Sequence, residues 1–191
     1  MRMRRSSFTL AGLALVFAAL IFLSASGPTH SADAGTPPEY QVKAVFLFNF
    51  AQFVEWPPQS FEDAAAPFVI GVLGTDPFGS ALESAVRGET LNGRSFVIER
   101  YRSVSEVRHC QILFISRSEA ALVGEIGAAL AGHSVLTVSD IEDSAQRGVM
   151  IRFVADNNRI RLRINADAAK AAGLSISSKL LRPAELVTSA G

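Results

Sequence analysis

Residues 40–57, YQVKAVFLFNFAQFVEWP, hold only two charged side chains, Lys43 and Glu55. A helix this apolar has to be covered by the rest of its domain, so this stretch constrains the fold more than any other. Its start is marked by Thr36 as an N-cap, Pro37 at the first helical position and Glu39 at the spacing of a capping box. Its end is marked by Pro57, which disfavours helical geometry at Trp56. On a helical wheel Phe46, Leu47, Phe50, Phe53 and Val54 form a broad apolar face, with Gln41, Gln52 and Glu55 opposite.

Three residues break that pattern. Val45 and Phe48 fall in the polar face, which fits either a helix covered on more than one side by its own domain or a contact surface, with Gln52, for another protein. Lys43 falls in the apolar face, where it either lays its stem on apolar surface and reaches out to water or pairs with a buried carboxylate.

Downstream, Phe68–Leu73 is a short β-branched run of the kind buried on both faces of a parallel sheet. Gly74, Thr75, Asp76 and Pro77 open a helix to about residue 87. Asn92 and Gly93 make a turn, residues 95–101 and 111–115 read as strands, and residues 104–108 as a brief helix or loop between them. Residues 118–131 read as a helix, 134–138 as a strand, and Ser139 and Asp140 as the cap of a short helix through 146. This alternation implies a single three-layer α/β domain, residues 36–183, with a mostly parallel sheet flanked by helices. Residues 148–155 and 159–164, joined by Asp156, Asn157 and Asn158, add a C-terminal β-hairpin. Short helices follow at 166–172 and 177–181, and residues 184–191 read as a mobile tail.

Catalytic patterns are scarce. Of the three histidines, His30, His109 and His133, no pair has metal-ligand spacing, and neither a nucleophile elbow nor a helical H-E-x-x-H occurs. Neither a metal nor a cofactor is expected, and Gly71 and Gly74 do not complete a dinucleotide fingerprint. In open α/β sheets ligands lie outside the carboxyl ends of the strands. Those ends carry Thr75, Asp76, Ser116, Arg117, Ser139 and Asp140, which read either as caps and turn residues or as a small-molecule cleft. Arg159, Arg161 and Arg163 share one face of the second hairpin strand, either as the solvated face of an edge strand or as a contact for an acidic partner.

Arg2, Arg4 and Arg5 precede an apolar run over residues 8–23 and then small residues, the layout of a secretory signal peptide over 1–34. Ala34 and Ser26 are the expected cleavage ends, and an uncleaved anchor is the alternative. No cysteine lies near these ends, which excludes lipid attachment there. Beyond the leader stand 15 basic and 17 acidic side chains, a net charge of −2 that gives no electrostatic case for nucleic acid. Cys110 is the only cysteine, so no intrachain disulfide forms; it reads as a buried small hydrophobe, against the alternative of a reactive thiol.

Val42-Lys43-Ala44, Phe48-Asn49-Phe50 and Phe53-Val54-Glu55-Trp56-Pro57 resemble the signature helix of the YfiR family of periplasmic proteins. Val72-Leu73-Gly74 with Asp76-Pro77-Phe78-Gly79, residues 111–116, 136–140 and 176–181 resemble it too, in order, across about 40–182. The resemblance implies a non-enzymatic periplasmic regulator that represses an inner-membrane diguanylate cyclase of the YfiN type by contacting its periplasmic region. Lower cyclic-di-GMP and less biofilm would follow. It also implies sequestration by an outer-membrane lipoprotein and a homodimer. Better-known members carry cysteine pairs, from which this chain departs. The alternative reading is a periplasmic small-molecule sensor feeding another receptor such as a histidine kinase. A hydrolase or redox enzyme would have only His109 and Cys110 to work with.

Overall fold

The computed structural model of the protein describes residues 37–157 and 159–189. The expected leader and its cleavage ends, the expected cap Thr36, the hairpin residue Asn158 and residues 190–191 lie outside the described residues. The first element is α1 (Pro38–Phe53), followed by β1 (Val54–Glu55), β2 (Phe68–Leu73), α2 (Ala81–Val86), β3 (Thr90–Leu91), β4 (Arg94–Tyr101) and β5 (Ile112–Ile115). Then come α3 (Val123–Ala129), β6 (Leu136–Ser139), β7 (Ile151–Asp156), β8 (Arg159–Ile164), α4 (Ala166–Ala171), β9 (Ser175–Ile176), α5 (Ser178–Leu181) and β10 (Glu185–Leu186).

Strands β7, β6, β5, β2 and β4 lie side by side in that order, all parallel. β8 returns antiparallel on β7, β10 adds parallel to β8, and β3 pairs antiparallel with β4 at the other edge. This is the mixed, mostly parallel α/β sheet with a C-terminal hairpin that the alternating pattern implies. Both faces of β2 are buried, which explains its unbroken apolar sequence. Phe68, Ile70 and Val72 face a layer made by α1, α2, α4 and α5, while Val69 and Leu73 face α3 with Val123, Ile126 and Leu130.

α1 is seated on the sheet mostly through rings. Phe50 stacks on Phe153 with centroids 5.8 Å apart, Phe46 meets the same ring at 5.9 Å, and Tyr40 meets Phe78 edge-on at 5.4 Å. Pro38 holds the first helical position, where a missing N–H removes no intrahelical bond. The helix stops at Phe53 because Val54 and Glu55 turn extended and pair with Ile176 and Ser175. Beyond them, Trp56 Nε1 donates to the Gln111 carbonyl at 3.1 Å, and the Gln111 side chain bridges the Ser60 carbonyl and the Val69 N–H.

Three helical readings give way to turns. The segment after β2 becomes helical only at Ala81, because Asp76 accepts from the Phe78 N–H at 2.7 Å in a side-chain turn and Gly79 sits at a φ of 53°. The segment after β5 starts as a 3-10 turn, Arg117–Glu119, and α3 ends at Ala129. Residues 141–147 form turns rather than the expected helix; Asp143 at a φ of 55° interrupts helical geometry there. β8 is not a free edge along its whole length, since Glu185 and Leu186 of β10 pair with Arg163 and Ile164. Arg161 and Arg163 pair with Asp156 and Glu185.

Gly71 in the middle of β2 has a packing reason. A Cβ there would come within 2.5 Å of the Tyr101 ring and 2.9 Å of the Cys110 sulfur. Cys110 is buried, its thiol donates to the Ile112 carbonyl at 3.0 Å, and burial pushes its pKa from the ordinary 9.0 up to about 12. Burial and the hydrogen bond to Glu99 likewise raise the Tyr101 phenol above its ordinary 10.0. The folded protein therefore keeps a proton on Cys110 that the unfolded chain releases above pH 9.0. That contribution to stability is full below pH 9.0 and is lost as pH rises toward 12. Urea unfolding across alkaline pH is expected to show stability declining from about pH 9, with Cys110→Ala losing the part of the slope nearest pH 9. Identical slopes in the two proteins would contradict this.

Candidate functional site

β6 ends at Ser139, and strand alternation turns Leu136, Val138 and then Asp140 toward the α1 layer. On α1, residues 39, 40 and 43 are neighbours on the first two turns. Helix and strand end thus bring Lys43 to Asp140 across 97 residues of chain, with Nζ 2.5 Å from Oδ2. The same oxygen accepts from the Tyr40 hydroxyl at 2.8 Å and lies 3.2 Å from Arg117 Nε in a second ion pair. Lys43 also pairs with Glu39 one turn back, and its ammonium lies 4.4 Å from the centre of the Tyr40 ring.

The side chains of Lys43 and Asp140 are each 1% exposed, whereas Arg117 is 62% exposed. A buried charge is tolerated only when it is paired and hydrogen-bonded, and here each is. Burial, then the hydrogen bond to Asp140, raise the Tyr40 phenol above its ordinary 10.0, so it stays a donor to the carboxylate at neutral pH. Lys43 therefore adopts the paired arrangement of the two its position left open.

Beside this cluster lies a cavity of about 500 Å³, open to solvent, walled by Glu39, Arg117, Asp140, Arg152 and Phe153 among others. Of the six strand-end residues singled out in the sequence, Arg117 and Asp140 meet and wall this cavity. Ser116 and Ser139 are buried and turned to the backbone: Ser139 Oγ donates to the Ile115 carbonyl at 2.8 Å and accepts from the Ile141 N–H at 3.1 Å. Thr75 and Asp76 stand apart. The Thr75 N–H donates to Ser118 Oγ at 3.0 Å, and Asp76 pairs with Arg100 at 2.7 Å.

On α1, Val45 is half exposed and Gln52 is exposed, but Phe48 is partly buried with its ring 5.3 Å from that of Phe96. Glu39, which the sequence marked only as a capping-box residue, and Tyr40 and Arg152 were not singled out as site residues. Glu39 and Tyr40 precede Lys43 by four and three residues, a helical spacing that points to them once Lys43 is known to be paired. Arg152, within an apolar strand, carried no such signal. Among the described residues no group of three or more histidines, cysteines or carboxylates is placed to hold a metal ion.

A model of YfiR/HmsC-like proteins matches residues 40–185, from the first turn of α1 to β10. The chain belongs to the YfiR/HmsC-like family. No protein with curated annotation matches it. Family membership places this YfiR/HmsC-like chain among periplasmic regulatory proteins of cyclic-di-GMP signalling. No helix among its described residues is long and apolar enough to cross a membrane.

The asymmetry of the buried cluster is measurable. Asp140→Ala leaves the Lys43 ammonium buried against a half-exposed Glu39, and is expected to cost about 3 kcal/mol or more in urea unfolding. Lys43→Met leaves Asp140 with Tyr40 and Arg117, and is expected to cost about 1–2 kcal/mol. Equal costs would show that the carboxylate is not the hub.

Proposed function

We propose that the protein is a non-enzymatic periplasmic regulator that binds and represses an inner-membrane diguanylate cyclase of the YfiN type, lowering cyclic-di-GMP and biofilm formation. Residues 1–34 direct its export in this reading. Its partners are the periplasmic region of the cyclase, an outer-membrane lipoprotein that sequesters it, and a second copy of the chain.

The observation that carries the reading is the family match, taken with the outer face of α1. Val42 and Val45, three residues apart on that helix, are 47% and 50% exposed, and Gln52 extends the stripe two turns on. Large aliphatic side chains held outward on a helix whose other side is fixed in the core suit a protein contact whose geometry is set in advance. Binding there represses the cyclase to the extent that it favours the inactive state over the active one.

Val45 discriminates better than Phe48, because Phe48→Glu would set a carboxylate against the Phe96 ring and disturb folding as well as contact. Val45→Glu is expected to change stability by less than about 0.5 kcal/mol. In a strain lacking the gene, wild type is expected to lower cyclic-di-GMP, whereas an equally abundant Val45→Glu protein leaves it high. Full repression by Val45→Glu would remove this face from the contact; unchanged cyclic-di-GMP on deletion would remove the cyclase reading.

A further inference from the structure

The arginine row of β8 finds only part of its complement within the chain. Arg163 meets Glu185 of β10 at 2.9 Å, and Arg161 meets Asp156 across the hairpin at 3.1 Å with 69% of its side chain still exposed. Arg159 is exposed and has no ion pair among the described residues.

The backbone beside this row is open as well. Ile164 turns its carbonyl away from β7, because that carbonyl accepts from the Val187 N–H at 3.0 Å. Successive residues of a strand send their amide groups to alternate sides, so Leu162 and Ile160 turn theirs the same way. β10 begins at Glu185, the partner of Arg163, and leaves residues 159–162 without a strand on their outer side. Among the described residues no turn or loop backbone bonds to Ile160. An edge left in this state is a template for a further strand.

β10 shows what the edge accepts. It lies parallel to β8 and sets an acidic side chain beside an arginine, through two residues that are both exposed. The same pattern continued along residues 159–162 sets carboxylates beside Arg161 and Arg159. Between them one side chain falls beside Ile160, on the face that packs toward α1. A hollow of about 380 Å³ lies there, walled by Ile160, Ala155 and Val42 of α1 among others. A second copy of β8 is the wrong occupant, because pairing edge to edge would set arginines against arginines.

We propose that the open edge of β8 takes an extended segment of a partner protein as an added strand. Its sequence is acidic, aliphatic and acidic in turn, the carboxylates meeting Arg159 and Arg161 and the aliphatic side chain entering the hollow beside Ile160. Main-chain hydrogen bonds to Ile160 and Leu162 supply attachment, while the arginine row and the hollow decide which sequence is accepted. This surface shares only Val42 with the outer stripe of α1, and it stands whether or not the partner is a cyclase.

The test titrates the purified protein with a fluorescent peptide in which glutamate and valine alternate. The controls are a peptide of the same composition with its glutamates and valines in separate blocks, and an alternation of lysine and valine. The alternating acidic peptide is expected to bind saturably, at least about tenfold more tightly than either control. Arg159→Glu combined with Arg161→Glu, both at exposed positions, is expected to fold normally and to weaken binding by about tenfold or more. Methylating every second amide nitrogen of the peptide is expected to abolish binding in one phase and leave it in the other, because only one set of amides faces β8. Binding is also expected to slow amide exchange at Ile160 and Leu162. No binding, equal binding of the block peptide, equal effects of the two methylation phases, or unaltered affinity in the arginine variant would each overturn the proposal.

Discussion

The buried pairing of Lys43 with Asp140 fixes how the first helix meets the sheet. A lysine in the apolar face of a helix would ordinarily reach for water, and here it is enclosed instead. Its charge is acceptable only in the one register that delivers Nζ to the carboxylate at the end of β6, where Tyr40 and Arg117 meet the same oxygen. Aromatic packing supplies area but tolerates sliding; the ion pair does not. The helix is therefore held by a directional contact at its amino end and by ring contacts along its length.

Much else depends on that seating. With α1 fixed, Val42 and Val45 point outward while Leu47 and Phe50 fill the core, so the proposed contact stripe is held on a rigid helix. The same seating places Glu39 on the wall of the cavity at the end of β6. In the proposed function no catalytic group is needed, because the output is a difference in binding between two states of a partner.

The sheet was legible in the sequence because fully buried parallel strands read as unbroken apolar runs, as in Phe68–Leu73 and Ile112–Ile115. The hairpin was legible from its alternation. Helix extents were not: Asp76 and Gly79, and later Asp143, make local turns that apolar spacing does not register. Lys43 stood out as an anomaly, but its partner could not be chosen among many carboxylates without the crossover topology that carries the chain 97 residues to Asp140. Arg152 was invisible because its place on the cavity wall comes from a strand continuing past its neighbour, a property of pairing rather than of residue type.

Amide hydrogen exchange on wild type and Asp140→Asn tests the central claim most directly. The substitution keeps the shape and removes the charge that faces Lys43. Selective loss of protection in α1, with β2 and β5 protected nearly as in wild type, is the predicted result. Uniform loss across the sheet, or unaltered protection in α1, would contradict the view that this ion pair holds the helix in place.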